Sequence, residues 1–298
     1  MTRVDFGAVA LVDDEGRRFE AIVRGRLMGH NKSLGNTVVV GDRALCAREA
    51  ERWMVEGVVP RRNAFSRRAS GTRPIEQVVA ANLDQIVLVA SITDPPFRAG
   101  LADRVLSQAE HAGVPARLVL NKVDLDDAHV ADGLLEDYAR AGYAGHAISA
   151  RTGLGLDGLR HACRARRSLF IGHSGVGKST LLNTLAPGLA LIEGAVNAKT
   201  GKGRHTTTAA WLLKAGEGVE LIDTPGVRSF GLWGIGSRDL EQNYPEFRRY
   251  LGTCRFGDCR HASEPGCALR AAVESGAVAA RRLASFHQLR EELMAEEG

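Results

Sequence analysis

No run of apolar residues in this chain approaches the roughly 18 needed to cross a bilayer, so no membrane-spanning helix and no membrane partner are expected. The stretch from Met1 to Ala10 lacks an apolar core and a small-residue cleavage site, which argues against a secretory signal. Neither charge sign dominates. Lys and Arg number 39 against 35 Asp and Glu, and a net charge of +4 does not alone predict a nucleic-acid partner. Internal repeats and long low-complexity stretches are absent. Cysteine is scarce, at five in 298 residues, and three of the five crowd between Cys254 and Cys267. An odd total with one tight cluster points to a metal site in a reducing cytoplasm rather than to a disulfide framework.

What is present divides into parts. Residues 1–60 read as short strands broken by Gly, Asn and Asp, with examples at 7–12, 19–23 and 37–42. No long helical periodicity occurs before residue 75, so a small OB-like β-barrel is expected, and an RNA-binding role and a packing role both fit it. Residues 61–74 read as a basic linker, with Arg61, Arg62, Arg67, Arg68 and Arg73 and no acidic residue up to 73. Those arginines suit phosphate contacts, and a solvated connector is the plainer alternative.

Residues 75–235 alternate strands with helical patterns. Apolar runs at 85–90, 116–120, 168–171 and 219–222 have the length and continuity of strands buried on both faces of a parallel sheet, and 101–112 reads as a helix. Residues 236–298 hold the Cys/His cluster and a helical tail. Helices are expected over 270–274 and 277–294, with the last six residues frayed.

Gly172-His173-Ser174-Gly175-Val176-Gly177-Lys178-Ser179-Thr180 follows a strand and opens a helix, which is the context of a phosphate-binding loop. Its amides and the helix N-terminus would hold the α- and β-phosphates, Lys178 would reach the β- and γ-phosphates, and Ser179 would offer its hydroxyl to Mg²⁺. Asp223-Thr224-Pro225-Gly226 ends another strand, so Asp223 would support Mg²⁺ and the Gly226 amide would meet the γ-phosphate.

Asn121-Lys122-Val123-Asp124 ends the strand at 116–120. There Asp124 would accept from guanine N1 and N2, Asn121 would tie loops together, and the Lys122 stem would cover the base. Ser149-Ala150 would present an amide to guanine O6. The triplet Thr206-Thr207-Thr208 sits where a first switch belongs, with Thr207 favoured as a second Mg²⁺ ligand. Val227 follows Gly226 where many GTPases carry a water-orienting Gln. Slow unaided hydrolysis is therefore expected, with His205 a candidate for positioning the water and a solvated loop histidine the plain alternative.

Cys254, Cys259, His261 and Cys267 supply three thiolates and one imidazole, enough for a closed, structural Zn²⁺ site with no open position for catalysis. Cys46 and Cys163 stand alone and read as packing residues.

The guanine motif precedes the phosphate loop, the reverse of the usual GTPase order. With Val39-Val40-Gly41-Asp42, Asn82-Leu83-Asp84-Gln85, Gly203-Arg204-His205-Thr206-Thr207-Thr208, Asp223 to Arg228 and the Cys254–Cys267 spacing, the chain resembles the ribosome small-subunit-dependent GTPase A family, circularly permuted bacterial GTPases of 30S assembly. The resemblance implies a multidomain α/β protein: an N-terminal OB-like barrel, a central permuted P-loop GTPase domain with a parallel sheet, and a C-terminal zinc-binding helical domain. It implies GTP or GDP, Mg²⁺ and one structural Zn²⁺ as bound groups, the 30S subunit and its 16S rRNA as partners with other assembly factors as candidates, and late-stage quality control driven by subunit-stimulated GTP hydrolysis. A monomer is expected. The alternative is a guanine-nucleotide-binding RNA scaffold with little turnover.

Overall fold

The computed structural model describes residues 1–4, 8–27, 37–69, 71, 74–126, 129–186, 210–227 and 229–297. Its centre is a parallel sheet of β8 (Gln85–Ser91), β9 (Ala116–Asn121), β10 (Ala144–Ala147), β11 (Arg167–Gly172) and β13 (Glu220–Asp223), in the order β10-β9-β8-β11-β13. β12 (Trp211–Lys214) adds antiparallel to β13, so the sheet is mixed.

Alternation along these strands explains the layers. Ile86, Leu88, Leu118, Leu120, Leu169, Ile171 and Ile222 belong to one core, with α1 (Ala99–His111), α2 (Val130–Arg140) and the C-terminal helices. Val87, Val89, Val119, Phe170 and Leu221 face the other way, against α3 (Leu156–Cys163) and α4 (Lys178–Leu185). Successive side chains of a strand point to opposite faces, so a strand covered on both sides must be apolar through its middle, and the buried polar pair Gln85 and Ser168 satisfies itself by a hydrogen bond of 2.8 Å.

Winding reverses between β8 and β11. The chain runs β8–α1–β9–α2–β10 outward on one side and β11–α4–β13 on the other. Ligands of such sheets sit at the strands' C-terminal ends where the order reverses. The two loops read from sequence as guanine motif and phosphate loop end β9 and β11, on either side of β8.

The N-terminal strands are β1 (Arg3–Val4), β2 (Ala8–Val12), β3 (Arg18–Val23), β4 (Ala44–Glu49) and β5 (Arg52–Val58), ordered β1-β2-β3-β5-β4. β3 and β5 are parallel while the other pairs are antiparallel. That crossed order is OB-like and encloses a separate core of Val9, Leu11, Ala21, Val23, Val38 and Val55. It joins the central sheet edge to edge through Arg3 opposite Trp211, with the Leu212 amide donating to the Thr2 carbonyl at 2.8 Å.

Three local expectations change. Residues 37–42 form a turn rather than a strand, although Val38, Val39 and Val40 are buried. The Asp42 carboxylate accepts from the Val39 amide at 2.8 Å and from Arg61 at 2.8 Å, and the Ala81 amide donates to the Val40 carbonyl at 3.0 Å. Gly41 turns the chain at φ +92°, where a Cβ would lie 2.1 Å from the Ala81 carbonyl oxygen. The valines thus supply burial, while the turn consumes their backbone groups.

The expected connector 61–74 contains β6 (Ala64–Arg68), antiparallel to β7 (Glu76–Ala81). Arg61 pairs with Asp42 and Arg62 with Asp84, which excludes a freely solvated basic run. The C-terminal helices are α5 (Ala268–Glu274) and α6 (Ala280–Glu297). The last turn of α6 holds because the Glu297 carboxylate accepts from the Ser237 amide and hydroxyl, each at 2.7 Å.

A buried ionic knot fastens this tail to the central sheet and its helices. Arg282 of α6 is 1% exposed and pairs with Asp103 of α1 and Glu246, donating Nε to the latter at 2.6 Å. Its guanidinium lies over the rings of Tyr138, Tyr143 and Tyr244, and Tyr138 donates to Asp103 at 2.7 Å. Removing the arginine strands two carboxylates in a dry site. Arg282→Ala should cost about 3–5 kcal/mol of stability by urea unfolding. A change within about 0.5 kcal/mol would show that the knot is not a stability determinant.

Candidate nucleotide site and metal centre

The phosphate loop leaves β11 at Gly172 and enters α4 at Lys178, as its residues led one to expect. Gly175 and Gly177 adopt φ of +87° and +84°. At Gly177 a Cβ would also lie 2.4 Å from Asn121 Nδ2, and at Gly172 one would lie 2.2 Å from the Val89 carbonyl oxygen. Glycine is required by conformation at the first two and by crowding at the last two.

Asn121 ties the site together. Its Nδ2 donates to the Val176 carbonyl at 2.8 Å, and its Oδ1 accepts from the Ala150 amide at 2.9 Å. One buried amide thus joins the phosphate loop to the Ser149-Ala150 loop. Lys122 sits at φ +65° and its ammonium bonds the Asp94 carbonyl. The Ser149 hydroxyl and then Arg151, whose guanidinium lies 2.6 Å away, hold the Asp124 carboxyl below the usual carboxylate range. Asp124 is therefore an anion poised for paired N–H donors, and Arg151 fills that role in the free protein.

Lys178 is buried, and its ammonium bonds both the Asp223 carboxylate and the Thr224 carbonyl. Ser174, Ser179 and Thr180 are exposed at the loop. A Cβ on Gly226 would approach Ser174 Cα to 3.1 Å, so Asp223–Gly226 lies directly against the phosphate loop. The Val227 amide donates to the Gly172 carbonyl at 3.0 Å, and its side chain is buried in the main core. It is therefore directed away from solvent and can orient no water.

His205 and Thr206–Thr208, with the preceding 201–204, lie outside the described residues. Sequence reasoning missed three neighbours of the site. Pro95 packs 3.4 Å from a Cβ placed on Gly175, Arg98 lies 3.3 Å from His173 Nε2, and Arg151 covers Asp124. Arg151 directly follows Ser149-Ala150, which was a usable signal. Arg98 and Pro95 come from the loop after β8, and only the sheet order brings them here.

The second cluster is compact. His261 Nδ1 lies 3.6 Å from Cys254 Sγ, 3.6 Å from Cys259 Sγ and 3.3 Å from Cys267 Sγ, and all four donor atoms fall within 4.8 Å of one another. A tetrahedron with metal–sulfur bonds of about 2.3 Å has edges near 3.8 Å, so the spacing fits Zn²⁺. Amides of His261 and Ala268 point at Cys259 and Cys254 sulfurs, each at 3.4 Å, as thiolates require. Burial and the neighbouring thiols push the Cys259 thiol up to about 12, a charge problem that a divalent cation would reverse. Glu241 Oε2, 3.3 Å from His261 Nε2, orients the ring with Nδ1 toward the sulfurs. Cys46 and Cys163 stand apart from this cluster.

A family model described as RsgA GTPase matches residues 58–233. A Gemmatimonas aurantiaca protein named small ribosomal subunit biogenesis GTPase RsgA is 44% identical over 291 residues, covering 97% of this chain and 94% of the relative. A Chlorobaculum tepidum protein of the same name is 43% identical, covering 87% and 86%. Among solved structures, YjeQ from Thermotoga maritima matches with TM-score 0.76 and 31% identity over 98% of this chain and 97% of that one. YloQ, titled a circularly permuted GTPase, matches with TM-score 0.72 and 25% identity over 99% and 94%. The inverted motif order, the Asn121 bridge between its loops and these relatives agree: the chain belongs to the RsgA GTPase family.

Proposed function

We propose that this protein is a GTP hydrolase that acts in late maturation of the small ribosomal subunit, binds its rRNA, and is stimulated by that subunit. The observation that carries the nucleotide reading is the Asn121 amide, which locks the guanine-reading loop to the phosphate loop. The ribosomal part rests on the names of the relatives. Asp124, Lys122, Ser149 and Ala150 take the guanine. The loop from Gly172 to Thr180 takes the phosphates, with Lys178 leaving Asp223 to meet them. Ser179 and Thr207 would hold Mg²⁺ with Asp223 in support, and the bound ion would neutralise phosphate charge. Gly226 senses the γ-phosphate, and His205 positions the water that Val227 cannot. A structural Zn²⁺ belongs to Cys254, Cys259, His261 and Cys267. The working division is a barrel at 1–60, a basic join at 61–74, a GTPase unit at 75–235 and a zinc and helical unit at 236–298, in a monomer acting in the cytoplasm with other assembly factors.

The test is GTP turnover alone and with purified 30S or 50S subunits at fixed low salt. Strong stimulation by 30S only is expected. Tight nucleotide binding without stimulation would favour a scaffold, a reading that the buried Val227 keeps open. For base recognition, Asp124→Asn should shift preference from GTP toward xanthosine triphosphate, because an amide offers N–H where guanine needs an acceptor. Competition between the two nucleotides reads this directly, and a retained guanine preference would remove Asp124 from the role.

A further inference from the structure

A cleft of about 690 Å³ opens between β6, the start of α1, the segment 229–231 just beyond Asp223–Gly226, and the last turns of α6. Arg67, Arg68, Arg98 and Arg104 line it against two carboxylates, Glu292 and Glu296. Arg68 pairs with Glu296 and Arg104 with Glu292. Both glutamates sit toward the C-terminal end of α6, where the helix dipole disfavours negative charge, and the helix has no basic residue in its last turn to offset it. Arg67 donates to the neutral amide of Gln77, its cross-strand neighbour on β7, at 2.9 Å, and no carboxylate pairs with it among the described residues. Burial lowers its pKa without a compensating anion. A half-buried guanidinium without a counter-charge is costly, and an anion entering the cleft would relieve it.

We propose that this cleft docks the phosphate backbone of an RNA, and that Glu292 and Glu296 occupy Arg104 and Arg68 until the RNA displaces them. The class of partner rests on the ribosomal reading above. Guanidinium forks match phosphate oxygens in pairs, and four arginines against two carboxylates leave donors for successive phosphates. Occupancy would be felt at the nucleotide site through two contacts. The Arg68 amide donates to the Gly231 carbonyl at 2.9 Å, holding the segment after Gly226, and Arg98 touches His173 of the phosphate loop.

The experiment measures binding of a labelled RNA stem-loop to the full chain across a salt series, for the unmodified protein, Arg67→Ala and Glu292→Gln/Glu296→Gln. GDP affinity and the thermal midpoint check that each variant is folded. Arg67→Ala should weaken RNA binding roughly fivefold and lower the log–log salt slope by about one. The double glutamine variant should tighten it by a similar factor. RNA affinities and slopes equal to those of the unmodified chain in both variants would overturn the proposal. So would binding of poly-glutamate that Arg67→Ala weakens while RNA binding stays constant, which would assign the cleft to an acidic protein. The response of the unmodified chain to 30S subunits is read separately, so failure of the ribosomal reading and failure of the cleft are distinguishable.

Discussion

Stripping zinc with a strong chelator, or replacing Cys267 by Ser, should unfold the segment 254–267 and release α5 and α6 from the nucleotide-binding part. The magnitude follows from comparing two energies. Structural zinc contributes about 10–16 kcal/mol in small zinc peptides near neutral pH. A whole domain is stable by only about 5–15 kcal/mol. Apart from the cluster, the segment is held by loop hydrogen bonds, chiefly the Glu264 carboxylate accepting from the amides of Arg260, Ala262 and Ser263, and it has no helix or strand of its own. Cys267 is buried, as is His261, and it caps the N-terminus of α5 and belongs to the main core, so with zinc bound it would carry both a metal bond and packing. Around it lie exposed residues such as Phe256, with turns at Gly252 and Gly266. His287 of α6 donates to the His261 carbonyl at 3.0 Å, so collapse of the metal loop would loosen α6 as well. Elemental analysis should find one zinc per chain, and limited proteolysis after chelation should cut within 254–267. Unchanged melting and proteolysis after complete metal removal would show that the four side chains cluster without needing the ion.

Lys178→Ala should reduce GTP turnover by about two to three orders of magnitude while leaving the fold intact. That is the scale seen when one preorganised charge or donor aimed at developing oxyanions is deleted. In the free protein the ammonium is held by Asp223 and the Thr224 carbonyl, so it is already in the crevice and already desolvated. A phosphate chain entering the loop competes for it with stronger charge. Alanine leaves Asp223 partly exposed and hydrated, so the stability penalty is modest. Lys178→Arg should rescue poorly, because a planar fork does not replace a compact ammonium between crowded backbone groups. Single-turnover hydrolysis with saturating nucleotide separates lost chemistry from lost binding. Turnover equal to the unmodified chain would remove Lys178 from the phosphate-binding role.

Much of the site was legible because its motifs are local. Gly175 and Gly177 must be glycine for reasons of φ, and a glycine run between a strand and a helix announces itself. The four parallel strands read from sequence all appear, since a strand buried on both faces has to be apolar through its middle. β10 escaped notice because Ala144-Gly145-His146-Ala147 is short and lies at the sheet edge, where burial places weaker demands on it. Residues 37–42 misled for the opposite reason. Three valines satisfy the composition of a strand, but the Val39 amide turns back on Asp42 three residues on, and the Val40 carbonyl answers to Ala81, a partner that no local pattern contains. The arginines of 61–68 read as phosphate contacts or a solvated connector, and their ion pairs were not legible because Asp42, Asp84 and Glu296 are far away in sequence.

The sequence by itself determined the motifs on which the proposed chemistry rests: a glycine loop between strand and helix, an Asn-Lys-x-Asp turn, their inverted order and a Cys/His set of the size zinc would need. These depend on residue type at short spacing, which the covalent chain carries directly. Tertiary structure decided how the parts are joined. The Asn121 bridge, the Arg282 knot, the Glu241 partner of His261 and the arginine cleft facing Glu292 and Glu296 each unite residues that are distant along the chain. Long-range pairs of charge and hydrogen bond become favourable only after burial has brought their elements together, so no local pattern records them.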